Sequence, residues 1–446
     1  MSINFKEIAN EAAKLLSELI KIDTTNPPGN ELPAAELIAE LMKDYGYDPI
    51  VLESERDRGN VIVRLEGRGE GPSLMLLSHL DVVPADPSRW TFDPFSGEIK
   101  DGYVLGRGAL DCKGLVAIEA MIMRLLAEEK RAPKGDIIFA ATADEEKGGI
   151  KGVRWLIENK PELVKADYVI NEGGGYPIRI NDRIIYTVQV AEKGVFCVRI
   201  KVFGKSAHAS VPGLGENSII KISEIIKRIS EYTSQVKIIP PVKLFLTEIS
   251  KVTKTALAEL LLDPNFVDNV LNILANENKI FAEIVRAMIR NTFTPTMIKG
   301  GLKENIIPPY TELILDCRVL PGIDKTGLLN ELNEILKGLD CEIEVLGGCV
   351  GTESPYNTTL FNIIEKTIKN NVTMSSVVPI MSTGSTDSKH FRLLTNSICY
   401  GFWPKSPEST IEKIIPLVHG VDERISINDL EFGIKVLYEI VKTMMY

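Results

Sequence analysis

The chain has 446 residues, of which 44% are apolar and 25% are charged, a length and balance typical of a globular protein with two domains. Its formal net charge of -10 excludes the basic groove of a nucleic-acid-binding protein, and no apolar run approaches the roughly 20 residues that cross a bilayer. The cysteines form no CxxC pair, which favours free thiols in a reduced compartment over a disulfide framework. We therefore expect a cytoplasmic protein with no nucleic-acid or membrane partner.

Residues 1–20 predict an amphipathic helix, because apolar side chains recur along one side of the segment. These side chains are Phe5, Ile8, Ala12, Leu15 and Leu19. The segment has neither a basic start nor a cleavage site, so we expect no signal peptide.

Between Asn60 and Val190, short apolar runs alternate with helical patterns. Such alternation is typical of an α/β fold in which helices cover a mostly parallel sheet. The predicted strands lie at 73–78, 136–143 and 167–170, and the predicted helices lie at 115–129 and 153–164.

A different order of elements begins near Lys193. Residues 192–350 predict a strand, a helix, two strands, a helix and a strand, which is the order of a ferredoxin-like α+β domain. The helical segment at about 236–290 is interpreted as an elaboration of this insert.

The α/β pattern resumes after about Thr352 and ends in a helix over 428–445. The chain is therefore predicted to form a discontinuous catalytic domain from residues 1–191 and 351–446. The inserted domain comprises residues 192–350.

Ionisable side chains follow the predicted strands at the points where the strands end. They are His79 and Asp81 after 73–78, Glu145 and Glu146 after 136–143, and Glu172 after 167–170, joined by Asp111 and His419 from loops that precede helices. Ligands of open α/β sheets bind beyond the carboxyl ends of the strands. We therefore expect these side chains to meet at one rim of the sheet.

Several carboxylates at one rim repel each other and raise each other's pKa unless cations lie among them. Carboxylate and imidazole ligands suit zinc, manganese or cobalt, and two ions about 3.5–4 Å apart share one bridging carboxylate. No thiolate is required, which favours a catalytic site over a closed structural zinc site. Asp81 would orient His79, and one of the adjacent Glu145 and Glu146 would bind metal while the other acts as a base.

Longer motifs contain these residues: SHLDVVP, GRGALDCKG, ATADEEKGG, NEGG, GKSAHASVPGLGEN, KENIIPP, DCRVLPG, STGSTDSKHFR and HGVDERI. Together they resemble the M20 metallopeptidases, which include aminoacylase, acetylornithine deacetylase, succinyl-diaminopimelate desuccinylase and glutamate carboxypeptidase. The resemblance covers nearly the whole chain. It implies a zinc-peptidase-like catalytic domain with an inserted lid that also serves for dimerisation, and hence a homodimer.

The resemblance implies two Zn²⁺ ions, with Co²⁺ or Mn²⁺ as alternatives. The implied ligands are His79 and Glu172 for one ion, Glu146 and His419 for the other, and Asp111 as the bridge. Glu145 would be the general base, and Asp81 would orient His79. A cis peptide bond is implied at Asp111-Cys112, and Cys112 itself is not interpreted as catalytic.

The resemblance also implies that His208 reaches the active site of the partner subunit and stabilises the oxyanion. The alternative is a buried turn histidine. Segments that bind the substrate's carbonyl or carboxylate in relatives contain Asn305, Arg318, Ser385, Thr386 and Arg392. For Arg318, an ion pair across the lid is the alternative. We interpret His390 as structural or surface, and Asp387 as a support of its loop.

The resulting hypothesis is a dizinc metallohydrolase that cleaves an amide bond of a small peptide or N-acyl amino acid. The alternatives are a biosynthetic deacylase of acetylornithine or succinyl-diaminopimelate, a non-catalytic binding homologue, and a binuclear phosphoesterase. All predicted ligands and the predicted base are present, which disfavours the binding homologue. The lack of a basic phosphate cradle disfavours the phosphoesterase.

Overall fold

A mixed sheet of ten strands organises the larger part of the fold. The structure is a computed structural model and describes residues 3–446, apart from the side chains of residues 256 and 257. Met1 and Ser2, where the predicted N-terminal helix and the signal-peptide prediction begin, lie outside the described residues.

The strands in chain order are β1 Ile50–Glu53, β2 Gly59–Leu65, β3 Leu74–His79, β4 Ile99–Lys100, β5 Tyr103–Leu105, β6 Ile137–Thr142, β7 Tyr168–Asn171, β8 Pro177–Ile180, β9 Arg183–Glu192, β10 Gly194–Phe203, β11 Thr292–Gly300, β12 Tyr310–Val319, β13 Glu342–Cys349, β14 Thr352–Glu353, β15 Ser375–Ser382, β16 Ile398–Gly401 and β17 Arg424–Ser426. The helices are α1 Phe5–Lys21, α2 Leu32–Asp44, α3 Lys113–Ala127, α4 Val153–Asn159, α5 Pro161–Val164, α6 Ser218–Glu231, α7 Pro240–Thr253, α8 Ala256–Glu259, α9 Val267–Leu274, α10 Lys279–Met288, α11 Lys325–Ile335, α12 Thr359–Asn371, α13 Ser388–Leu394, α14 Ile411–Ile414 and α15 Ile427–Met445. Within residues 3–446, no helix is long and apolar enough to cross a membrane.

The large sheet has the strand order β1-β2-β6-β3-β7-β16-β9-β14, and β8 and β15 also pair with β9. Its central pairs β6-β3, β3-β7 and β7-β16 are parallel, whereas β1-β2, β2-β6 and the pairs of β9 with β8, β14 and β16 are antiparallel. The predicted α/β class is therefore confirmed, with the parallel strands at the centre of the sheet. Strands β1, β2, β8 and β9 and helix α2 were not predicted.

Both faces of the central strands are covered, which explains their continuous apolar sequence. Leu74 and Leu76 of β3 point into the core formed with α1, α3 and α15, while Met75 and Leu77 point into the core formed with α4. The segment 153–164 was predicted as one helix. It breaks into α4 and α5 because Pro161 disfavours helical geometry at the residue before it.

A second sheet has the antiparallel order β11-β12-β10-β13. Helices α6 and α11 pack on one face of it and form a separate core. The order of strands and helices is the ferredoxin-like order predicted for the insert. The chain leaves the large sheet at the end of β9 and enters the second sheet with β10, on either side of Lys193. The domain boundaries themselves stay predictions.

The segment 236–290 is helical as predicted, and it packs on the large sheet. Helix α7 lies against β15, and Val242, Leu246 and Val285 belong to the core of the large sheet. The apolar side of α7 covers the large sheet, and the assignment of the segment to the insert stays a prediction. Lys193, between β9 and β10, contacts the end of this segment, because its Nζ donates to the carbonyl of Arg290 at 2.9 Å.

Candidate active site

His79 is the last residue of β3 and is 1% exposed at the carboxyl end of the sheet. Its Nδ1 lies 3.0 Å from the main-chain carbonyl of Asp81 and 3.4 Å from that residue's carboxylate. The closer partner of Nδ1 is therefore the carbonyl, not the carboxylate expected from the sequence. This contact fixes the ring so that Nε2 faces Asp111 and Glu172, at 3.0 and 3.7 Å.

Asp81 is fully buried, and its carboxylate accepts three hydrogen bonds. Its Oδ1 accepts the N–H of Glu145 at 3.0 Å, and its Oδ2 accepts the N–H of Glu146 at 3.1 Å and the amide of Asn26 at 2.7 Å. Burial opposes ionisation, but His79 and these donors hold the pKa of Asp81 below its ordinary value. The charged Asp81 thereby joins the end of β3 to the turn after β6.

Asp111 reaches the rim from the loop before α3, and Glu423 holds that loop. The Oε1 of Glu423 accepts the N–H groups of Leu110 and Asp111 at 2.7 and 3.1 Å, and its Oε2 accepts from Arg107 at 2.6 Å. Arg107 also donates to the carbonyl of Gly420 at 2.9 Å. Glu423 and Arg107 therefore fix the position of Asp111 relative to the loop before β17.

Asp111 lies between two histidine–glutamate pairs. Its Oδ1 is 3.0 Å from His79, which lies 3.7 Å from Glu172. Its Oδ2 is 2.9 Å from Nε2 of His419, which lies 3.3 Å from Glu146. One carboxylate shared by two sets of nitrogen and oxygen donors is an arrangement that suits two divalent cations.

An unsatisfied oxygen adds to this fit. The buried Oε1 of Glu146 accepts no hydrogen bond from any group in residues 3–446. Buried polar atoms are rarely left without a partner, because they lose their hydration without compensation. Ligand atoms of His79, Asp111 and Glu146 lie within 4.8 Å of one another, so the Glu146 carboxylate lies where a cation would bind.

Protons balance the charges of the metal-free cluster. Hydrogen bonds with Asp111 and Glu146 raise the pKa of His419 to about 10, and burial raises the pKa of Glu172 to about 7. Burial opposes ionisation of Asp111, but the two neighbouring histidines lower its pKa strongly. Burial, reinforced by Glu172, raises the pKa of Glu145 well above its ordinary value. Bound cations would take the place of these protons.

Cys112 lies close to His79 and Glu172, but its thiol has the character of a buried structural group. The Sγ atom accepts the main-chain N–H of His79 at 3.1 Å and lies 3.6 Å from that residue's carbonyl oxygen. Burial raises the pKa of Cys112, and a neutral thiol is a poor metal ligand. The Asp111-Cys112 peptide bond is cis, as the resemblance implied.

A buried network behind the turn after β6 was missed in the sequence. Arg58 donates to Glu31 at 2.7 and 2.6 Å and to Asp144 at 3.0 Å. Asn26 donates to Asp144 at 3.2 Å and to Asp81 at 2.7 Å. The network holds Asp144 in a left-handed conformation with φ of 72°. No motif distinguishes Glu31 or Arg58 in the sequence, so only their burial identifies them.

A cleft of about 970 Å³ opens over the acidic cluster and is lined by both sheets and by α10. The predicted site residues that line it are Asp111, Glu145, Glu146, Glu172, Arg318, Ser385, Thr386 and His419. Ser385 contributes a buried hydroxyl with no hydrogen-bond partner among the described residues. Arg318 donates to Asp316 at 2.7 and 3.0 Å, so its ion pair lies within β12 rather than across the lid.

Arg392, which the resemblance placed in a substrate-binding segment, lies outside the cleft. Its side chain is 3% exposed and does not line the cleft. It donates to Glu192 at 2.8 Å, to Ser354 at 3.1 Å and to the carbonyl of Cys399 at 2.8 Å. Glu192 in turn accepts the N–H of Thr386 at 2.7 Å. Arg392 therefore supports the cleft loop through Glu192, because protein acceptors already occupy its guanidinium.

His208 and Asn305 lie apart from the acidic cluster, beside a separate hollow of about 380 Å³. His208 is exposed, contrary to the buried alternative. Its Nδ1 lies 2.7 Å from the hydroxyl of Ser210 and accepts that residue's N–H at 3.2 Å, which leaves the proton on Nε2. Within one chain, His208 does not reach the acidic cluster.

His390 has a structural position, and Asp387 contacts the end of β6 rather than its own loop. His390 lies 2.8 Å from the carbonyl of Gly148, and burial lowers its pKa to about 4, so it is a neutral donor to that turn. The hydroxyl of Thr142 donates to Asp387 at 3.4 Å.

Comparison with known proteins agrees with this geometry. The profile of the peptidase family M20/M25/M40 matches residues 75–443. The chain belongs to this family. It is accordingly an M20 metal-dependent hydrolase of the peptidase and amidohydrolase type.

Relatives of this M20 hydrolase differ in substrate. It is 28% identical to the N-fatty-acyl-amino acid synthase/hydrolase of Xenopus tropicalis over 82% of this chain and 72% of the relative. It is 26% identical to a probable succinyl-diaminopimelate desuccinylase of Staphylococcus aureus over 85% of this chain and 87% of the relative. The M20 family metallo-carboxypeptidase of Sulfolobus solfataricus has the same fold, with a TM-score of 0.74, 22% identity, and coverage of 97% of this chain and 98% of that one.

Replacing Asp81 with asparagine should weaken the binding of a divalent metal ion by about 10–100-fold, the usual effect of removing a group that orients metal ligands. Asparagine keeps the size of the side chain but removes the charge and one acceptor from the N–H groups of Glu145 and Glu146. Zinc titration of the apoprotein measures the effect. Asp86→Asn, at an exposed position, is the matched control. Equal zinc affinities of the two variants would contradict the orienting role of Asp81.

Zinc should stabilise the M20 hydrolase more at about pH 8 than at about pH 6, because binding displaces protons. Glu172, with a pKa of about 7, holds its proton in the folded metal-free protein more tightly than in the unfolded chain. Protonation of Glu172 therefore stabilises the metal-free fold at low pH, and this stabilisation is lost as pH rises from about 5 to about 7. Protonation of His419 also stabilises the fold, and its contribution is lost as pH rises to about 10. Thermal unfolding with and without zinc at both pH values measures this. A zinc-induced shift that does not change with pH would contradict the displacement.

Proposed function

We propose that the protein is a dizinc hydrolase that cleaves the amide bond of an N-acyl amino acid or a small peptide. The observation that carries the proposal is Asp111 between two histidine–glutamate pairs, with Glu145 beside them in an open cleft. His79, Glu172, Glu146 and His419 would complete the two ligand sets. Co²⁺ and Mn²⁺ have the same ligand preferences and are alternatives to zinc.

Bound ions of this kind supply Lewis acidity toward the scissile carbonyl and lower the pKa of water. Glu145 supplies the proton transfers. Glu145 lines the cleft, and its main-chain N–H donates to Asp81. Its carboxylate forms no ion pair with any described residue. In its ionised form it would take a proton from the attacking water and pass it to the leaving nitrogen.

An apolar wall of the cleft suits the acyl group or side chain of such a substrate. Ile284 and Met288 of α10 line one part of the wall, and Ile411, Ile415 and Val418 line another part before His419. The Xenopus tropicalis relative is named for N-fatty-acyl amino acids, which is consistent with an apolar acyl group. Desuccinylation, suggested by the Staphylococcus relative, is the alternative.

We also propose that two copies associate through the second sheet, so that His208 enters the partner's cleft. Strand β11 is an edge of that sheet and carries the exposed Met297 and Ile298, at 68% and 56% exposure, and Leu302 just after the strand is 81% exposed. An exposed apolar edge strand favours pairing with another chain. His208 has Nε2–H available to donate to an oxyanion in the partner subunit.

Glu145→Gln should keep the zinc content of the wild type but lower kcat by about 10³-fold or more, because the amide cannot accept the proton. The test is a panel of N-acyl amino acids, dipeptides, acetylornithine and succinyl-diaminopimelate, with metal content measured on the same samples. Glu128→Gln, on an exposed turn after α3, is the matched control. Full activity of Glu145→Gln, or no hydrolysis of any panel member by the zinc-loaded wild type, would refute the proposal.

Mixed dimers test the role of His208. Glu145→Gln and His208→Ala should each be inactive as homodimers. Co-expression of the two should restore about a quarter of the wild-type activity, because half of the dimers are hybrids and each hybrid has one complete site. Activity is measured on separated hybrid and parental dimers. No recovery in the hybrid would show that His208 does not act in the partner subunit.

A further inference from the structure

The carboxylate of Glu145 has no hydrogen bond of its own to direct it. It lines the cleft, and no group among the described residues donates to it. The main chain of Glu145 is held, because its N–H donates to Asp81 at 3.0 Å and its carbonyl accepts the N–H of Gly148 at 2.8 Å. The direction of the carboxylate therefore depends on the backbone of the turn, which begins at Asp144.

Asp144 has an uncommon backbone conformation at the start of this turn. It is 4% exposed, and its φ of 72° lies in the left-handed region. Residues other than glycine seldom adopt this region, although asparagine and aspartate adopt it more readily than most. Such a conformation persists only where the surrounding structure imposes it. The contacts of the Asp144 side chain show what imposes it here.

Both carboxylate oxygens of Asp144 are occupied. Oδ1 accepts from Arg58 at 3.0 Å and from the amide of Asn26 at 3.2 Å, and Oδ2 accepts the N–H of Lys151 at 2.9 Å. Asparagine would suit the left-handed backbone equally well, but its NH₂ group would face one of these donors. The position therefore requires a carboxylate because of its acceptors, not because of its backbone.

The guanidinium of Arg58 is committed to this network. It is buried and donates to Glu31 at 2.7 and 2.6 Å and to the carbonyl of Pro28 at 3.3 Å. The backbone of Gly29 passes so close that a Cβ at that position would overlap the guanidinium. Glu31 also accepts the N–H of Asp144 at 3.3 Å. Neither Arg58 nor Glu31 lines the cleft, so they can act on the reaction only through the turn.

Asn26 joins this network to the other support of Glu145. Its Nδ2 donates to Asp144 at 3.2 Å and to Asp81 at 2.7 Å. Asp81 accepts the N–H of Glu145, and Asp144 is the residue before Glu145. The network therefore fixes the start of the turn through two carboxylates that are themselves joined. A glutamate placed in this way needs no contact at its own carboxylate, which stays free for proton transfer.

We propose that Arg58, together with Glu31, is a positioning residue for Glu145 and acts through Asp144. The buried ion pair fixes the turn so that the Glu145 carboxylate points into the cleft. Loss of the pair would displace this carboxylate from the attacking water and the leaving nitrogen, and a displacement of about 1 Å lowers a rate by up to about 100-fold. This inference rests on the proposed amide hydrolysis, in which Glu145 transfers the protons.

Asp144→Asn is the first test, because asparagine keeps the size of the side chain and favours the left-handed backbone. On the panel substrate that the zinc-loaded wild type hydrolyses fastest, kcat should fall by about 10–100-fold, with KM and zinc content unchanged. Asp101→Asn is the matched control, since Asp101 is an exposed aspartate with φ of 50° in the turn between β4 and β5. Equal kcat values for the two variants would overturn the inference and leave the proposed function intact.

A network without charges separates positioning from folding. Removal of one buried charge destabilises a protein, whereas replacement of all the partners by neutral groups often does not. The triple variant Glu31→Gln, Arg58→Met, Asp144→Asn should therefore unfold near the wild-type temperature and keep the low kcat. Arg58→Lys, which retains the charge without the forked contact, should lose only part of kcat. Recovery of kcat together with stability in the triple variant would show that the network serves folding alone.

Two further measurements locate the effect. Added to Glu145→Gln, the Asp144→Asn substitution should lower the residual kcat by no more than about twofold, because its effect passes through Glu145. An undiminished loss would contradict the inference and assign the network to Glu146 or to the fold.

Crystal structures of the metal-free wild type and of Asp144→Asn provide a readout that does not depend on turnover. The Glu145 carboxylate should be displaced by about 1 Å in the variant. An unmoved carboxylate combined with a low kcat would overturn the positioning role. No hydrolysis of any panel member by the zinc-loaded wild type would instead refute the proposed function itself.

Discussion

The buried carboxylate of Asp81 joins the two strand ends on which the rest of the site depends. It accepts the main-chain N–H groups of Glu145 and Glu146 and lies beside His79, so β3 and the turn after β6 keep one relative position. Its donors keep it ionised in spite of its burial. The orientation of the first predicted ligand and of the predicted base therefore precedes any metal binding. Such preorganisation is what a metal site requires of the groups around it.

The acidic cluster is stable only if positive charge lies within it. In the metal-free protein this charge is supplied by protons on the histidines, and Asp111 stays ionised between them. The same oxygens and nitrogens bind a proton or a metal ion, but not both, so metal affinity and pH are linked. Glu423 contributes by fixing the loop of Asp111. The geometry of the acidic cluster therefore depends both on a balancing positive charge and on the fixed position of the Asp111 loop.

The cleft obtains its walls from segments that are distant in sequence. Helix α10 contributes Ile284 and Met288, and the same inserted helices pack on the large sheet. Lys193, between β9 and β10, donates to the carbonyl of Arg290 just after α10. The helical segment therefore connects the two sheets while it forms part of the apolar wall.

The sequence alone determined the family, the α/β class, the ferredoxin-like insert and the set of candidate ligands. These features are local, since apolar periodicity and residues such as His79 at strand ends are visible within a short window. The tertiary structure decided that Arg392 is saturated by Glu192, that α7 covers the large sheet, and that Arg58 belongs to the network behind the site. Periodicity shows that a helix has an apolar side, but not which surface it covers. Whether a charged side chain is available to a substrate depends on its neighbours in space, which only the fold brings together.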